Sequence, residues 1–334
     1  MTFFAKTLGT VAALALSAGA ALADPALIYD LGGKFDKSFN EAAYNGAERW
    51  AEETGGSYRD IEIQAEAQRE QALRRFAEAG FNPVVTTGFS YASQIAAVAP
   101  DYPDTKFVTI DGYVDPEAHP NVLSILFAEH EGSYLVGMMA AMASDSDTVG
   151  FVGGMDIPLI RKFACGYAQG VLAVNPDATV ISNMTGTTPA AWNDPVKGAE
   201  LAKAQISQGA DVIYAAAGGT GLGVLQTAAD EGILSIGVDS NQNYLHPGSV
   251  LTSMLKRVDV AVYDAMTAGA DLQTGVIALG LESNGVGYAL DDNNADLVSE
   301  EMKAAVDAAR EQIIAGEVTV HDYSKDDSCP ALDF

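Results

Sequence analysis

The 334-residue chain carries 45 acidic against 18 basic side chains, a formal net charge of −27, and only two cysteines. So strong an acidic excess excludes nucleic acid and anionic membrane surfaces as partners, because both repel it. The length suffices for two domains with separate cores.

Lys6 precedes an apolar run at 8–22, and Ala21-Leu22-Ala23 before Asp24 is a small-x-small cleavage site, so residues 1–23 read as a signal peptide. A spanning helix needs about 20 strongly apolar residues, whereas this run is rich in Ala, Gly, Thr and Ser. No cysteine follows the cleavage site. The expectation is a soluble periplasmic protein of residues 24–334, without a lipid attachment point and without membrane insertion after cleavage.

A strand is predicted at 26–29, followed by Asp30 and the pair Gly32 and Gly33, where the backbone turns. Ser38 stands three residues before Glu41, the capping-box spacing, so a helix is expected from Phe39 with Ser38 accepting at its N-terminus. Ala43, Ala47, Trp50 and Ala51 mark its buried face, and Gly55 and Gly56 its end. Strand, glycine turn and helix N-terminus therefore meet outside the carboxyl end of a strand, where open α/β sheets bind ligands. Phe39 and Asn40 sit beside that point, either as an aromatic face and an amide for a ligand or as a packing staple and a solvated residue.

Strand and helix then alternate: strand 60–64, helix 68–79, strand 83–87, helix 90–98, and strands 106–110 and 121–127. A long apolar helix at 129–144 leads to a second series with strands at 148–153, 178–182, 211–215 and 234–238 and helices at 159–174, 195–207 and 220–230. Strands at 249–255 and 285–290 and helices at 258–268 and 299–315 complete the chain. This alternation predicts an α/β fold of two doubly wound parallel sheets, with a first break near Phe127.

Glycine-rich or polar segments fall where strands end: Thr87-Gly88-Phe89, Asp111-Gly112, Trp192-Asn193-Asp194, Ala217-Gly218-Gly219 and Asp239. All are expected to line one cleft, although each taken singly is ordinary turn chemistry. Asp194 before Pro195 is a helix N-cap with proline at N1 and is not counted as a contact. Cys165 and Cys329 either pair in an oxidising compartment or stay free; their number alone does not decide.

Enzyme motifs are missing. Gly218 to Gly223 does not satisfy G-x-G-x-x-G, and no G-x-x-x-x-G-K-[ST] or H-E-x-x-H occurs. Four histidines, His119, His130, His246 and His321, are read as surface or structural residues. Asp30, Asp36 and Asp111 would have to form a calcium cage in a nucleoside hydrolase, and their spacing gives no dense cluster. A repressor-type regulator would need a DNA-binding module and a basic face.

The string Asp30-x-Gly32-Gly33-x-x-Asp36-x-Ser38-Phe39-Asn40, with Gly46, resembles the opening signature of the basic membrane protein (BMP) family of ABC-transporter substrate-binding proteins, which includes purine nucleoside receptors. The resemblance continues through Phe127, Glu131, Ser133-Tyr134-Leu135 and Gly137. Further matches are Gly154-Met155-Asp156-x-Pro158, Trp192-x-Asp194-Pro195, Ala217-Gly218-Gly219-Thr220-Gly221 and Gly237-Val238-Asp239-Ser240. It implies a type I periplasmic-binding-protein-like fold whose chain crosses between domains three times at hinges. One domain would hold residues 24–127 plus about 251–280, the other 128–250 plus about 281–334. It implies no catalysis, no cofactor and no metal, with a monomer delivering a small-molecule ligand to ABC permease subunits.

Carried over residue by residue, the resemblance makes Phe39 and Trp192 the two aromatics that sandwich a purine and Asp111 the carboxylate that reads its edge. Asp239 and Lys256 would hold ribose hydroxyls, Gly218 would leave room for a backbone contact, and Asp30 and Asn40 would add polar contacts. Guanosine or inosine would be preferred over adenosine. A tryptophan as the second aromatic leaves another ring, such as riboflavin, as an alternative, and Lys256 with Arg257 has a plain alternative as a basic spot on an acidic protein.

Overall fold

The computed structural model describes residues 23–334. The predicted signal segment therefore lies, but for its last residue, outside the described residues. In chain order the first series is β1 (Ala26–Tyr29), α1 (Phe39–Thr54), β2 (Arg59–Glu62), α2 (Gln68–Glu78), β3 (Val84–Thr87), α3 (Ala92–Val98), β4 (Phe107–Ile110) and β5 (Val122–Phe127). The second is α4 (Glu129–Ala143), β6 (Thr148–Met155), α5 (Pro158–Val174), β7 (Thr179–Gly186), α6 (Pro195–Ile206), β8 (Val212–Ala216), α7 (Gly221–Glu231), β9 (Leu234–Asp239) and β10 (Val250–Lys256). Then come α8 (Val258–Ala268), β11 (Gly275–Leu279), β12 (Val286–Tyr288) and α9 (Glu300–Ile314).

Two six-stranded sheets result, in the orders β11-β5-β4-β3-β1-β2 and β12-β10-β9-β8-β6-β7. Every pairing is parallel except β10 with β12. In both sheets the strand order reverses beside the first strand of the series, the geometry that opens a crevice at the strands' carboxyl ends. The central strands β1, β3 and β4 are buried along their whole length and β8 likewise, which is why they read as continuous apolar runs rather than alternating ones. The expected doubly wound α/β fold is what the sheets form.

Two expectations change. The resemblance assigns residues from about 251 to the first domain, yet β10 pairs in register with β9, Met254 opposite Val238, and lies inside the second sheet. The chain returns to the first sheet only after Lys256, where α8 packs on α1 and β11 pairs with β5. Strand β11 is absent from the sequence reading although Val276 to Leu279 is a short apolar run between two glycines; it runs along the sheet edge with Val276 and Ile277 exposed.

Three crossovers thus connect the sheets, at 127–129, 256–258 and 279–281, and they lie against one another. The amide of Ala128 donates to the Leu279 carbonyl at 2.9 Å, that of Arg257 to Gly285 at 2.8 Å, and that of Leu281 to the Glu131 carboxylate at 2.8 Å. Cys165, buried in α5, is bonded to Cys329, which settles the open question of pairing and fixes the C-terminal tail to the second half.

Candidate ligand-binding site

A cavity lies between the sheets, walled by residues from both. All eight residues expected at the site line it: Asp30, Phe39, Asn40, Asp111, Trp192, Gly218, Asp239 and Lys256. They come from the carboxyl ends of β1, β4, β9 and β10, from the first turn of α1, and from the loops after β7 and β8.

The first-sheet wall is built by Asp36 rather than by Ser38. Asp36 accepts from the amides of Ser38, Asn40 and Glu41 at 2.8, 3.0 and 3.1 Å, so it caps α1, whereas Ser38 makes no capping bond. The capping-box expectation for Ser38 is corrected by this contact. Glu41 reaches back to the Lys37 amide instead of Ser38. Burial pushes the Asp36 carboxyl up to about 7 against the pull of those three amides. The freed Ser38 hydroxyl crosses the cleft to Asp239, at 2.5 Å.

Asn40 faces the cavity with its amide already engaged. Its nitrogen donates to the carbonyls of Asp30 and Gly33, and its oxygen accepts from Thr87 Oγ1 at 2.8 Å. Its hydrogen bonds therefore hold the β1 turn to β3. Asp30 is similarly occupied, accepting from Arg69 at 2.8 Å, with Arg69 only 4 % exposed. Gly88 lies over the other Asp30 oxygen, 2.3 Å from where a Cβ would stand, so no larger residue fits there.

From the second half, a 3-10 turn at Pro189–Trp192 presents the Trp192 indole. Thr220 accepts from the Asp194 amide at 2.7 Å and donates to the Ala191 carbonyl at 2.8 Å, bracketing the turn. Asp194 caps α6 through the Lys197 amide, as expected. The indole lies against Gly154 of β6, where a Cβ would come within 2.1 Å of the ring. Phe39 enters from α1, and Leu159, Ile160 and Phe163 of α5 complete an apolar lining.

The polar end is a chain of buried charges. Lys256 Nζ donates to Asp111 Oδ2 at 2.6 Å and pairs with Glu129 at 2.9 Å, while Lys162 pairs with Glu129 at 2.5 Å. Phe39, Phe127 and Phe163 surround the Lys256 ammonium with ring centroids 5.2, 5.0 and 5.5 Å away. Lys256 is therefore a buried member of this network, and not part of a basic surface spot with Arg257, which pairs with Asp259. Burial pushes the Asp111 carboxyl up to about 6 despite Lys256 beside it. Burial also works against ionised Glu129, but the Lys162 and Lys256 ammoniums outweigh it and hold its pKa at about 2. Asp111 Oδ1 is buried without a hydrogen-bond partner. Asp111 and Asp239 both take left-handed backbone, φ 69° and 63°, which turns their side chains off the strand ends into the crevice.

Sequence reasoning missed Asp36, Glu129 and Lys162 as parts of this assembly. Glu129 looked like an ordinary acidic residue at a helix start. Lys162 did carry a signal, a lone cation on the apolar face of α5 beside Phe163 and one turn before Gly166.

A family model described as ABC transporter substrate-binding protein PnrA-like matches residues 26–324. An uncharacterized lipoprotein of Pyrococcus abyssi is 36% identical over 279 residues, covering 79% of this chain and 68% of that protein. The ABC transporter nucleoside-binding protein BmpA of Lactococcus lactis is 31% identical over 320 residues, 88% of each chain. The crystal structure of an ABC transporter system solute-binding protein from Aeropyrum pernix superposes with a TM-score of 0.82 at 29% identity, covering 91% of this chain and 95% of that one.

The expectation of an untethered periplasmic protein is corrected by these comparisons. The Pyrococcus relative bears the name lipoprotein, so the reading from residues 1–23 that no lipid attachment exists does not stand. The type I binding-protein fold and the ABC substrate-binding role do stand, and small-molecule ligand and permease partners follow from that role. Matched over nearly its whole described length, the chain belongs to the Bmp family of PnrA-like ABC transporter substrate-binding proteins.

Proposed function

We propose that the chain captures a purine nucleoside between Phe39 and Trp192 and presents it to the permease of an ABC transporter. The observation that carries this reading is the unpartnered Asp111 Oδ1, a buried acceptor in a cavity with one aromatic from each side. A carboxylate oxygen only accepts, and guanine and hypoxanthine offer an N1–H donor where adenine offers an acceptor. Aromatic faces suit a base of any sequence of heteroatoms, so they supply affinity and Asp111 supplies selection. The name of the Lactococcus relative supports the same ligand class.

In this proposal the two sheets are two domains hinged at the three crossovers, and Asp239 and Lys256 hold the ribose. A ligand that touches both walls binds the closed arrangement better and draws the population toward it. No bond is made or broken. The protein acts as a monomer. Carboxylates at the cleft disfavour a phosphate, so nucleosides are taken in preference to nucleotides.

Mass spectrometry of small molecules released on denaturing the purified protein tests this directly, together with calorimetry against guanosine, inosine, adenosine and riboflavin. Guanosine or inosine released and bound most tightly is the expected result. Tighter binding of riboflavin, or release of hypoxanthine from inosine, would replace the proposal with a flavin receptor or a hydrolase.

A further inference from the structure

Glu129 and Lys162 do not line the cavity; they stand behind it. Glu129 is 0 % exposed and Lys162 8 %. A buried ammonium such as Lys256 loses its charge unless carboxylates hold it, and two are in ion-pair contact with it, from different halves of the molecule. Asp111 follows β4 of the first sheet, whereas Glu129 opens α4, which packs against β10 itself. Among the ion pairs of the described residues, Lys256 with Asp111 is the one that joins the two sheets.

When the halves part, Asp111 leaves with the first sheet and Glu129 stays. Lys162 balances Glu129 from its far side and donates to the Phe127 carbonyl at 2.9 Å, in the first crossover. Other groups facing the pair are Asp239 at the end of β9, the Tyr214 hydroxyl of β8 and His130 on α4, with the rings of Phe39, Phe127 and Phe163 around Lys256. Asp239 is the other carboxylate that stays beside Lys256 and favours its charge, but Glu129, at 2.9 Å, is the one in ion-pair contact with it.

We propose that Glu129 is the positioning residue that keeps the Lys256 ammonium charged and in place while the cleft is open, and that Lys162 ties this pair to the crossover at Phe127. The proposal rests on the cavity being the ligand site and extends it to residues that touch no ligand. Its consequence is that Lys256 meets an incoming ligand already charged and already oriented.

The experiment follows the Lys256 ammonium by nitrogen-15 NMR across pH in ligand-free protein, and guanosine and inosine binding by calorimetry at pH 6 and 9, in wild type, E129Q, E129D, K256Q and the E129Q/K256Q double variant. Expected is a Lys256 that stays protonated through pH 9 in wild type and titrates at about pH 8 or below in E129Q. Nucleoside affinity in E129Q falls about tenfold or more at pH 9 and less at pH 6, and E129Q adds little to the loss in K256Q. E129D lies between wild type and E129Q on both readouts, and it decides the matter if E129Q does not fold. An unchanged Lys256 titration in either variant overturns the proposal, as does a loss from E129Q that adds in full to that of K256Q. Should wild type bind no purine nucleoside, the ligand reading falls while the Lys256 titration still decides the role of Glu129.

Discussion

The hydroxyl of Ser38, at the N-terminus of α1, donates to the carboxylate of Asp239, at the end of β9, 2.5 Å away and across the cleft. Ser240 Oγ returns a bond to the Ser38 carbonyl at 2.9 Å, and Gln242 Nε2 donates to the Lys37 carbonyl at 2.9 Å. These contacts form a latch that exists only when the two walls meet. Ser38→Ala removes a bond to a charged acceptor, so ligand affinity should fall by about 1.5–3 kcal/mol. Small-angle scattering of the saturated variant should show a more expanded average than wild type at equal ligand. Affinity and dimensions both unchanged would remove the latch from the closing mechanism.

Phe39→Ala and Trp192→Ala should each weaken nucleoside binding by about 1–3 kcal/mol, the range for stacking of a base on an aromatic side chain. Both side chains are only half-buried, so circular dichroism should report a folded protein in each case. Calorimetry on the two variants checks the clamp, and wild-type affinity in both would eliminate it.

Asp111 should rank the bases. Guanosine and inosine are expected to bind more tightly than adenosine by about 1.5–3 kcal/mol, the range for a hydrogen bond to a charged group. Asp111→Asn supplies a donor beside the acceptor and withdraws the partner of Lys256, so affinity for guanosine should drop and the margin over adenosine narrow. A wild-type preference for adenosine, or the same ranking in the variant, excludes Asp111 as the base reader.

The cavity carboxylates also set a pH profile of stability. Burial raises the pKa of Asp36 to about 7 and also raises that of Asp239, so the folded chain keeps protons that the unfolded chain releases near 4. Their contribution is complete below the unfolded value and is lost as pH rises through the folded one. Glu129, held at about 2, acts oppositely and fails only as pH falls through that value. Thermal unfolding of ligand-free protein should therefore weaken between about pH 4.5 and 7.5, with a shallower slope in Asp36→Asn. A melting temperature that climbs over that interval contradicts the assignment.

Most of the architecture was readable because the central strands are buried on both faces and announce themselves as short apolar runs between turns. Strand β11 is the exception: it too is a short apolar run between glycines, but three of its five residues are exposed and backbone pairing to β5 is what holds it. That Phe39, Asp111 and Asp239 line one cavity was legible only in part: each alone is ordinary turn or helix-start chemistry, their roles came from the family resemblance, and the left-handed backbone of Asp111 and Asp239 shows only in the fold. Ser38 misled because a serine three before a glutamate fits a cap, and only the fold reveals that Asp36 takes those amides first. Glu129 and Lys162 were hidden for a different reason. Their partners lie 127 and 33 residues away in sequence, and no local spacing encodes a charge pair closed by tertiary packing.

The chain contains two tryptophans. Trp50, on the buried face of α1, is 8 % exposed, and Trp192 rests on Gly154 at the cavity. A ring stacked on Trp192 will quench or shift the emission of one indole while the other stays constant as an internal reference. On the proposed clamp the protein would be its own optical reporter of occupancy, and libraries of candidate solutes could be screened on it without dye, label or engineered cysteine.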